Sequence, residues 1–132
     1  MKGSKDDPQK IISTSHAPAA VGTYSQGVEY NGVIYFSGQI GLEPQSGQMR
    51  EGTKEQTRQI LTNIDALLKA CGLDRGHIIK TTVFLTNLKD FEVINDSYQN
   101  YFSPPFPARS CVEVSALPKG ARVEIEVIAS TK

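Results

Sequence analysis

The chain has no tryptophan, only two cysteines and two histidines, and no surplus of either charge. Cys71 and Cys111 are too few for a disulfide scaffold, and together with His16 and His77 they match no metal-ligand spacing. We therefore expect reduced thiols, no metal and no other cofactor.

The charges of the chain cancel. Fourteen Lys and Arg side chains balance fourteen Asp and Glu side chains, so the formal net charge at pH 7 is zero. A protein that binds nucleic acid through phosphate contacts needs a basic surplus or a basic stripe, and the sequence has neither. We expect no DNA partner, and the composition argues against RNA as well. A neutral protein repels its own copies weakly, which permits self-association without requiring it.

Long apolar runs are also missing, so we expect no membrane partner. Residues 1–7 contain neither the apolar core of a signal peptide nor the acid-poor pattern of a transit peptide. We expect a cytoplasmic protein, with an organellar location left open. A length of 132 residues suits one domain, which we place at residues 11–132 after a flexible N-terminal tail over residues 1–10.

Turn, cap and periodicity signals divide the first half of the chain. Asn31-Gly32 favours a two-residue turn between strands at Val28–Tyr30 and Val33–Ser37. A connection follows from Gly38 to Gly52. Thr53 and Gln56 then form a capping-box pattern that begins a helix, and Gly72 ends it.

The second half alternates strands with one helix. The sequence predicts a strand at His77–Leu85, a helix at Asp90–Phe102, and a closing hairpin of strands at Arg109–Ser115 and Ala121–Ala129. This order predicts an α+β fold in which two helices cover one face of a mixed sheet.

Charged residues alternate with apolar ones in the last two predicted strands. Arg109 and Cys111 alternate with Val112, and Glu124 alternates with Ile125. We assign Arg109 and Glu124 to one face, opposite the helices. On alternation alone, the ordinary interpretation of that face is that water covers it.

Two features favour a covered face instead. Cys111 is of a residue type that is usually buried, and Phe106-Pro107-Ala108 forms a rigid apolar approach to the strand. A subunit packed here would partly desolvate Arg109, which would make it a strong two-pronged carboxylate binder.

At these residues the sequence resembles the RidA family of reactive intermediate deaminases, which act on imines and enamines of 2-keto acids. The segments 107–114 (PARSCVEV), 117–120 (LPKG) and 123–126 (VEIE) resemble the C-terminal signature of the family. The segment 17–26 is similar to its N-terminal part, and the resemblance covers about residues 11–129.

The resemblance implies a chorismate-mutase-like fold, a homotrimer and active sites in the clefts between subunits. It implies hydrolysis of 2-iminobutanoate and 2-iminopropanoate to 2-keto acids and ammonia without metal or cofactor. By resemblance, Arg109 grips the substrate carboxylate, while Glu124 and the Cys111 backbone hold the attacking water. The resemblance further places four residues around the substrate: Tyr24, Ser37, Gly38 and Asn95.

Other interpretations stay open. Glu124 can pair with Arg109 or Arg122 across the closing hairpin, and Tyr24 and Asn95 can be structural, Asn95 by satisfying a buried backbone group. Proteins resembling this one have been described as ribonucleases or translation inhibitors, although the segment 38–41 only superficially resembles a nucleic-acid-binding GxxG loop. A non-catalytic regulator that binds a keto acid through the same arginine is a third interpretation.

Overall fold

A computed structural model of the chain describes residues 9–132, so residues 1–8 of the predicted tail lie outside the described part. The strands are β1 (Lys10–Ile12), β2 (Gly27–Tyr30), β3 (Val33–Phe36), β4 (Ile78–Leu85), β5 (Ala108–Glu113) and β6 (Val123–Ser130). The helices are α1 (Thr53–Ala70) and α2 (Phe91–Tyr101). The strands form one mixed sheet in the order β1-β2-β3-β6-β4-β5, in which only β4 and β5 are parallel neighbours. The predicted α+β layout is confirmed.

Two of the predicted turns are confirmed by backbone geometry. Asn31 and Gly32 have φ values of 51° and 81°, as a two-residue turn between twisted antiparallel strands requires. Gly72, with φ of 72°, follows the end of α1 in the left-handed conformation. Strand β1 was not predicted, because three residues at the edge of the sheet are too few to show alternation.

The predicted capping box at the start of α1 is wrong. Gly52 is the N-cap residue and no side chain caps the helix. Thr53 Oγ1 instead donates to Asp90 Oδ2 at 2.9 Å, and Gln56 Oε1 accepts from the Arg122 backbone N–H at 2.9 Å. Partners from distant parts of the chain therefore take both side chains that the local pattern assigned to the cap.

The core lies between the two helices and one face of the sheet. Strand β6 runs at the centre of the sheet, and Val123, Ile125 and Val127 of this strand are buried beneath the helices. The main helical contributors to the same core are Ile60, Ile64, Leu67, Leu68, Ile94 and Tyr98. The alternate residues of β6, Glu124 and Glu126, therefore point to the opposite, open face.

The predicted closing hairpin is also wrong, and with it the predicted common face of Arg109 and Glu124. Strand β4 separates β5 from β6, and β5 pairs with β4 in parallel. Arg109 stands beside the buried Thr81 and so lies on the helix side, whereas Glu124 stands beside Phe84 on the open face. Alternation separates the two faces of a strand but does not say which one meets the core.

An ion-pair cluster ties the ends of the two helices together. Arg75 Nη2 lies 2.9 Å from Asp65 Oδ2, and the Tyr101 hydroxyl donates to Asp65 Oδ1 at 2.6 Å. The Arg75 guanidinium also stacks on the Tyr101 ring, 4.0 Å from its centroid. Burial and the Asp65 carboxylate raise the pKa of Tyr101, so this hydroxyl stays protonated and acts as a donor.

The connection between β3 and α1 packs closely against strand β6 and against helix α1. The backbone of Gln39 exchanges hydrogen bonds of 2.9 and 3.0 Å with Ile125. Gly41 lies against α1 so closely that a Cβ atom at this position would stand 2.7 Å from the Gln56 Cα. This packing differs from that of a free GxxG loop between helices, which a nucleic-acid-binding interpretation needs.

We predict that Gly41→Ala lowers the free energy of unfolding by about 1–3 kcal/mol, because the added methyl group meets backbone that cannot move aside. Urea denaturation measures the change. Gly22→Ala is the matched control, since its Cβ would lie at an ordinary 3.4 Å from the Tyr24 ring. Wild-type stability of Gly41→Ala would contradict the packing of this connection on α1.

Candidate active site

The predicted site residues fall into two separate cavities. The first, of about 460 Å³, is called the arginine cavity here and is lined by Asn95, Tyr98, Gln99, Phe106, Pro107 and Arg109. The second, of about 430 Å³, is called the glutamate cavity, and its lining includes Tyr24, Ser37, Gly38, Gln39, Lys119 and Glu124. Cys111 lines neither cavity, although it follows Arg109 on the same strand face.

The arginine cavity is built by β5 and one side of α2. Arg109 Nη1 donates to Asn95 Oδ1 at 2.9 Å, and its guanidinium carbon lies 4.8 Å from the Tyr98 ring centroid. The Phe91 ring centroid is 5.3 Å away. Residues 91, 95 and 98 follow helical spacing, so α2 presents two rings and one amide oxygen to a single cation.

Arg109 has no acidic partner within residues 9–132. Glu124 has no basic partner over the same described range, and the two side chains lie on opposite faces of the sheet. The alternative interpretation, an ion pair of Glu124 with Arg109 or Arg122, is therefore wrong. Asn95, likewise, bonds the guanidinium and not a buried backbone group. The arginine fork is left available for a carboxylate from outside the chain.

In the glutamate cavity, the half-buried carboxylate of Glu124 lies against Gly38, which has no side chain. A Cβ atom at Gly38 would collide with the Glu124 carboxylate, so a side chain at this position would displace the carboxylate from its place. Burial raises the pKa of Glu124, and the charge of Glu126 raises it further. A carboxylate whose pKa is raised accepts a proton more readily, which suits a general base.

The wall of this cavity depends on Gln26, which the sequence analysis missed. Gln26 is 4% exposed, and its side chain bonds Thr14 N at 2.7 Å and the Pro18 carbonyl at 2.8 Å. These bonds hold residues 14–18 against the sheet, beside the half-exposed Tyr24. A single buried glutamine leaves no periodic signal in a sequence.

Ser37 is engaged in the same wall. Its hydroxyl donates to the Ser25 carbonyl at 2.6 Å, and its backbone N–H donates to the Gln26 carbonyl at 2.9 Å. The hydroxyl proton is therefore committed to the backbone, which leaves the Ser37 oxygen as an acceptor towards the cavity.

The backbone of Cys111 is better suited than its thiol to contact a ligand. Burial raises the pKa of the Cys111 thiol, and the charge of Arg109 offsets this only in part. The Val114 N–H bonds the Leu85 carbonyl across to β4 at 2.8 Å, and backbone groups alternate sides along a strand. The N–H and C=O of Cys111 are therefore directed away from β4, at the open edge of the sheet.

A larger concavity, of about 850 Å³, lies between the outer surfaces of α1 and α2 and contains none of the predicted site residues. Its three arginines are already paired, Arg50 with Glu43 at 3.2 Å, Arg58 with Glu55 at 3.2 Å and Arg75 with Asp65 at 2.9 Å. We interpret it as a solvated, ion-paired surface.

No cluster of three metal-ligating side chains occurs in the described part of the chain. None of the helices in that part has the length and apolar character needed to cross a bilayer.

We predict that Glu126→Gln lowers the pKa of Glu124, because it removes a negative charge that disfavours ionisation of the neighbouring carboxyl. The pKa stays above that of a free glutamate, since burial remains. Titration of the ¹³C-labelled carboxyl groups by NMR measures both values. Glu55→Gln, on the outer surface of α1, is the control and should leave Glu124 unchanged. An unchanged Glu124 pKa in Glu126→Gln would contradict the coupling.

Known proteins of similar sequence and structure cover most of the chain. Residues 14–131 match the family described as Endoribonuclease L-PSP. A 2-iminobutanoate/2-iminopropanoate deaminase of Bos taurus is 52% identical over 122 residues, which are 92% of this chain and 89% of that protein. The crystal structure of YyfA from Yersinia pestis, a protein of unknown function in the Rid family, has 52% identity and a TM-score of 0.90, covering 92% of this chain and 98% of that one. Escherichia coli TdcF with bound serine has 44% identity and a TM-score of 0.89, covering 93% and 99%.

Proposed function

The chain belongs to the RidA family of reactive intermediate deaminases, and we propose that it hydrolyses 2-imino acids such as 2-iminobutanoate and 2-iminopropanoate to 2-keto acids and ammonia. The observation that carries this proposal is the arginine cavity, in which the Arg109 guanidinium lies against aromatic rings and has no acidic partner among residues 9–132. The deaminase name of the Bos taurus relative and the serine bound to TdcF support a small substrate with a carboxylate.

Arg109 holds the substrate carboxylate by two parallel N–H···O bonds. Asn95 already occupies one Nη1 hydrogen at 2.9 Å, so the remaining donors of the fork bind the substrate. The grip fixes the imine carbon relative to the rest of the site, and positioning of this kind contributes several kcal/mol to a rate.

Glu124 activates the water. A protonated imine is already electrophilic, so the water oxygen bonds to the imine carbon while Glu124 takes a water proton and the C=N π pair moves to nitrogen. Glu124 then passes this proton to the nitrogen. The C–N bond breaks and ammonia leaves as the hydroxyl oxygen forms the C=O bond, and Glu124 accepts the hydroxyl proton and releases it to solvent. The raised pKa of Glu124 suits a group that must accept a proton and release it again. The open-edge N–H and C=O of Cys111 provide further contacts for the water.

The two cavities must come from different chains to form one site. Arg109 and Glu124 lie on opposite faces of one sheet, so within a single copy their side chains point away from each other. We propose a homotrimer of the chorismate-mutase-like type, in which the arginine cavity of one chain meets the glutamate cavity of its neighbour. The partly apolar open face, with Tyr35 52% and Val112 43% exposed, supports such packing.

We predict that Arg109→Lys lowers kcat/KM for 2-iminobutanoate by about 10- to 100-fold, because one ammonium cannot reproduce a bidentate charged contact that contributes about 1.5–3 kcal/mol. A threonine dehydratase generates the imine in situ, and formation of 2-oxobutanoate above the uncatalysed rate is followed. Arg58→Lys, an exposed ion-paired arginine on α1, is the control and keeps full activity. If Arg109→Ala hydrolyses the imine as fast as the wild type, the role assigned to Arg109 is wrong. Cleavage of RNA by the pure protein that does not depend on Arg109 would favour the ribonuclease interpretation.

A mixing experiment tests the shared site. Arg109→Ala and Glu124→Gln are each expected to be inactive, whereas chains refolded together at equal amounts recover about one quarter of wild-type activity, since that share of random interfaces pairs an intact arginine with an intact glutamate. Activity is compared at equal total protein, and sedimentation reports the trimer. A mixture as inactive as its components, or a monomer in sedimentation, would overturn the two-chain site.

A further inference from the structure

The hydroxyl groups of Tyr98 and Thr81 form an isolated polar contact inside an apolar core. Tyr98 is 4% exposed and Thr81 is fully buried, and their oxygens lie 2.9 Å apart. A Phe and a Val in these two places would fill nearly the same volume without any hydroxyl to satisfy. A buried hydrogen bond of this kind adds only about 1 kcal/mol to stability, so packing alone gives little reason for it.

The contact lies directly behind Arg109. Thr81 is the cross-strand neighbour of Arg109 in the parallel pair β4–β5, and the Tyr98 ring is the nearer of the two rings that face the guanidinium. The ring thus has its hydroxyl end fixed to the sheet and its face turned to the cation. With Asn95 bonded to Nη1, the guanidinium is held from two directions by α2.

We propose that Tyr98, anchored by Thr81, is a positioning residue that fixes the plane of the Arg109 guanidinium for two-pronged binding of the substrate carboxylate. This inference rests on the proposed function for its substrate, although the restraint on the guanidinium is a property of the chain alone. An arginine on an exposed strand loses side-chain entropy when it binds. A guanidinium that is already restrained loses less, so the anchored ring increases affinity for the carboxylate.

The test separates the anchor from ordinary core packing with paired variants. Thr81→Val and Tyr98→Phe each leave one buried hydroxyl unsatisfied and lower stability. The double variant Thr81→Val/Tyr98→Phe removes both hydroxyls, so its stability recovers towards wild type while the ring stays free of its anchor. A purely structural role predicts that ligand binding recovers together with stability.

Binding of 2-oxobutanoate, the expected product, is measured by calorimetry alongside KM and kcat for 2-iminobutanoate. We expect Kd and KM to rise about threefold in the double variant and about tenfold in Tyr98→Leu, which loses the cation–π contact, with kcat changed less than KM. Tyr101→Phe is the matched control. It removes a buried tyrosine hydroxyl bond, that to Asp65, one turn further along α2 and away from Arg109, so stability falls while Kd stays at the wild-type value.

A second readout does not depend on any ligand. In NMR spectra of the ¹⁵N-labelled side chain, the Nη hydrogens of Arg109 should exchange slowly in the wild type and faster in the double variant. Wild-type Kd and wild-type exchange in the double variant, or an equal rise of Kd in Tyr101→Phe, would overturn the inference. If the wild type binds 2-oxobutanoate but hydrolyses no imine, the proposed function fails while the binding series still decides the role of Tyr98. If the wild type binds no 2-oxobutanoate, the exchange rates decide it.

Discussion

Parallel pairing of β5 with β4 requires the chain to cross over the sheet between the two strands, and α2 makes that crossing. The crossing places one side of α2 directly above the pair. Phe91, Asn95 and Tyr98 therefore meet Arg109, although Arg109 is on the most exposed strand of the sheet. An antiparallel hairpin of β5 with β6 would have needed no helix between β4 and β5, and the guanidinium would have had no aromatic support.

The same topology separates the two charges that the chemistry needs. The central strand β6 buries Val123 and Ile125 beneath the helices, so Glu124 between them has to face the other way. There it is half-buried beside Gly38, and its pKa rises because burial removes water from its charge and the neighbouring Glu126 repels it. Separation in one chain keeps the base from being neutralised by the arginine with which it is proposed to work.

Local signals predicted much of the fold, and contacts between distant segments account for what they missed. The turn at Asn31-Gly32, the end of α1 at Gly72 and the position of α2 depend on neighbours in the sequence, and all three were predicted. The side chains of Thr53 and Gln56 bond Asp90 and the segment before β6, and no local pattern reveals such partners. The strand beside which β5 lies is fixed in the same way, by the packing of α2. Family resemblance identified six residues of the two cavities, whereas their division between opposite faces of the sheet became visible only in three dimensions.

The separation of the two cavities also has a consequence for how the protein is switched on. In the proposed trimer, a newly synthesised chain carries an arginine cavity and a glutamate cavity that cannot serve each other, so folding alone produces no active site. Activity then begins only when copies meet, and its onset depends steeply on protein concentration. The equilibrium between free and assembled chains would thus set a lower limit on the amount of protein that is useful to a cell.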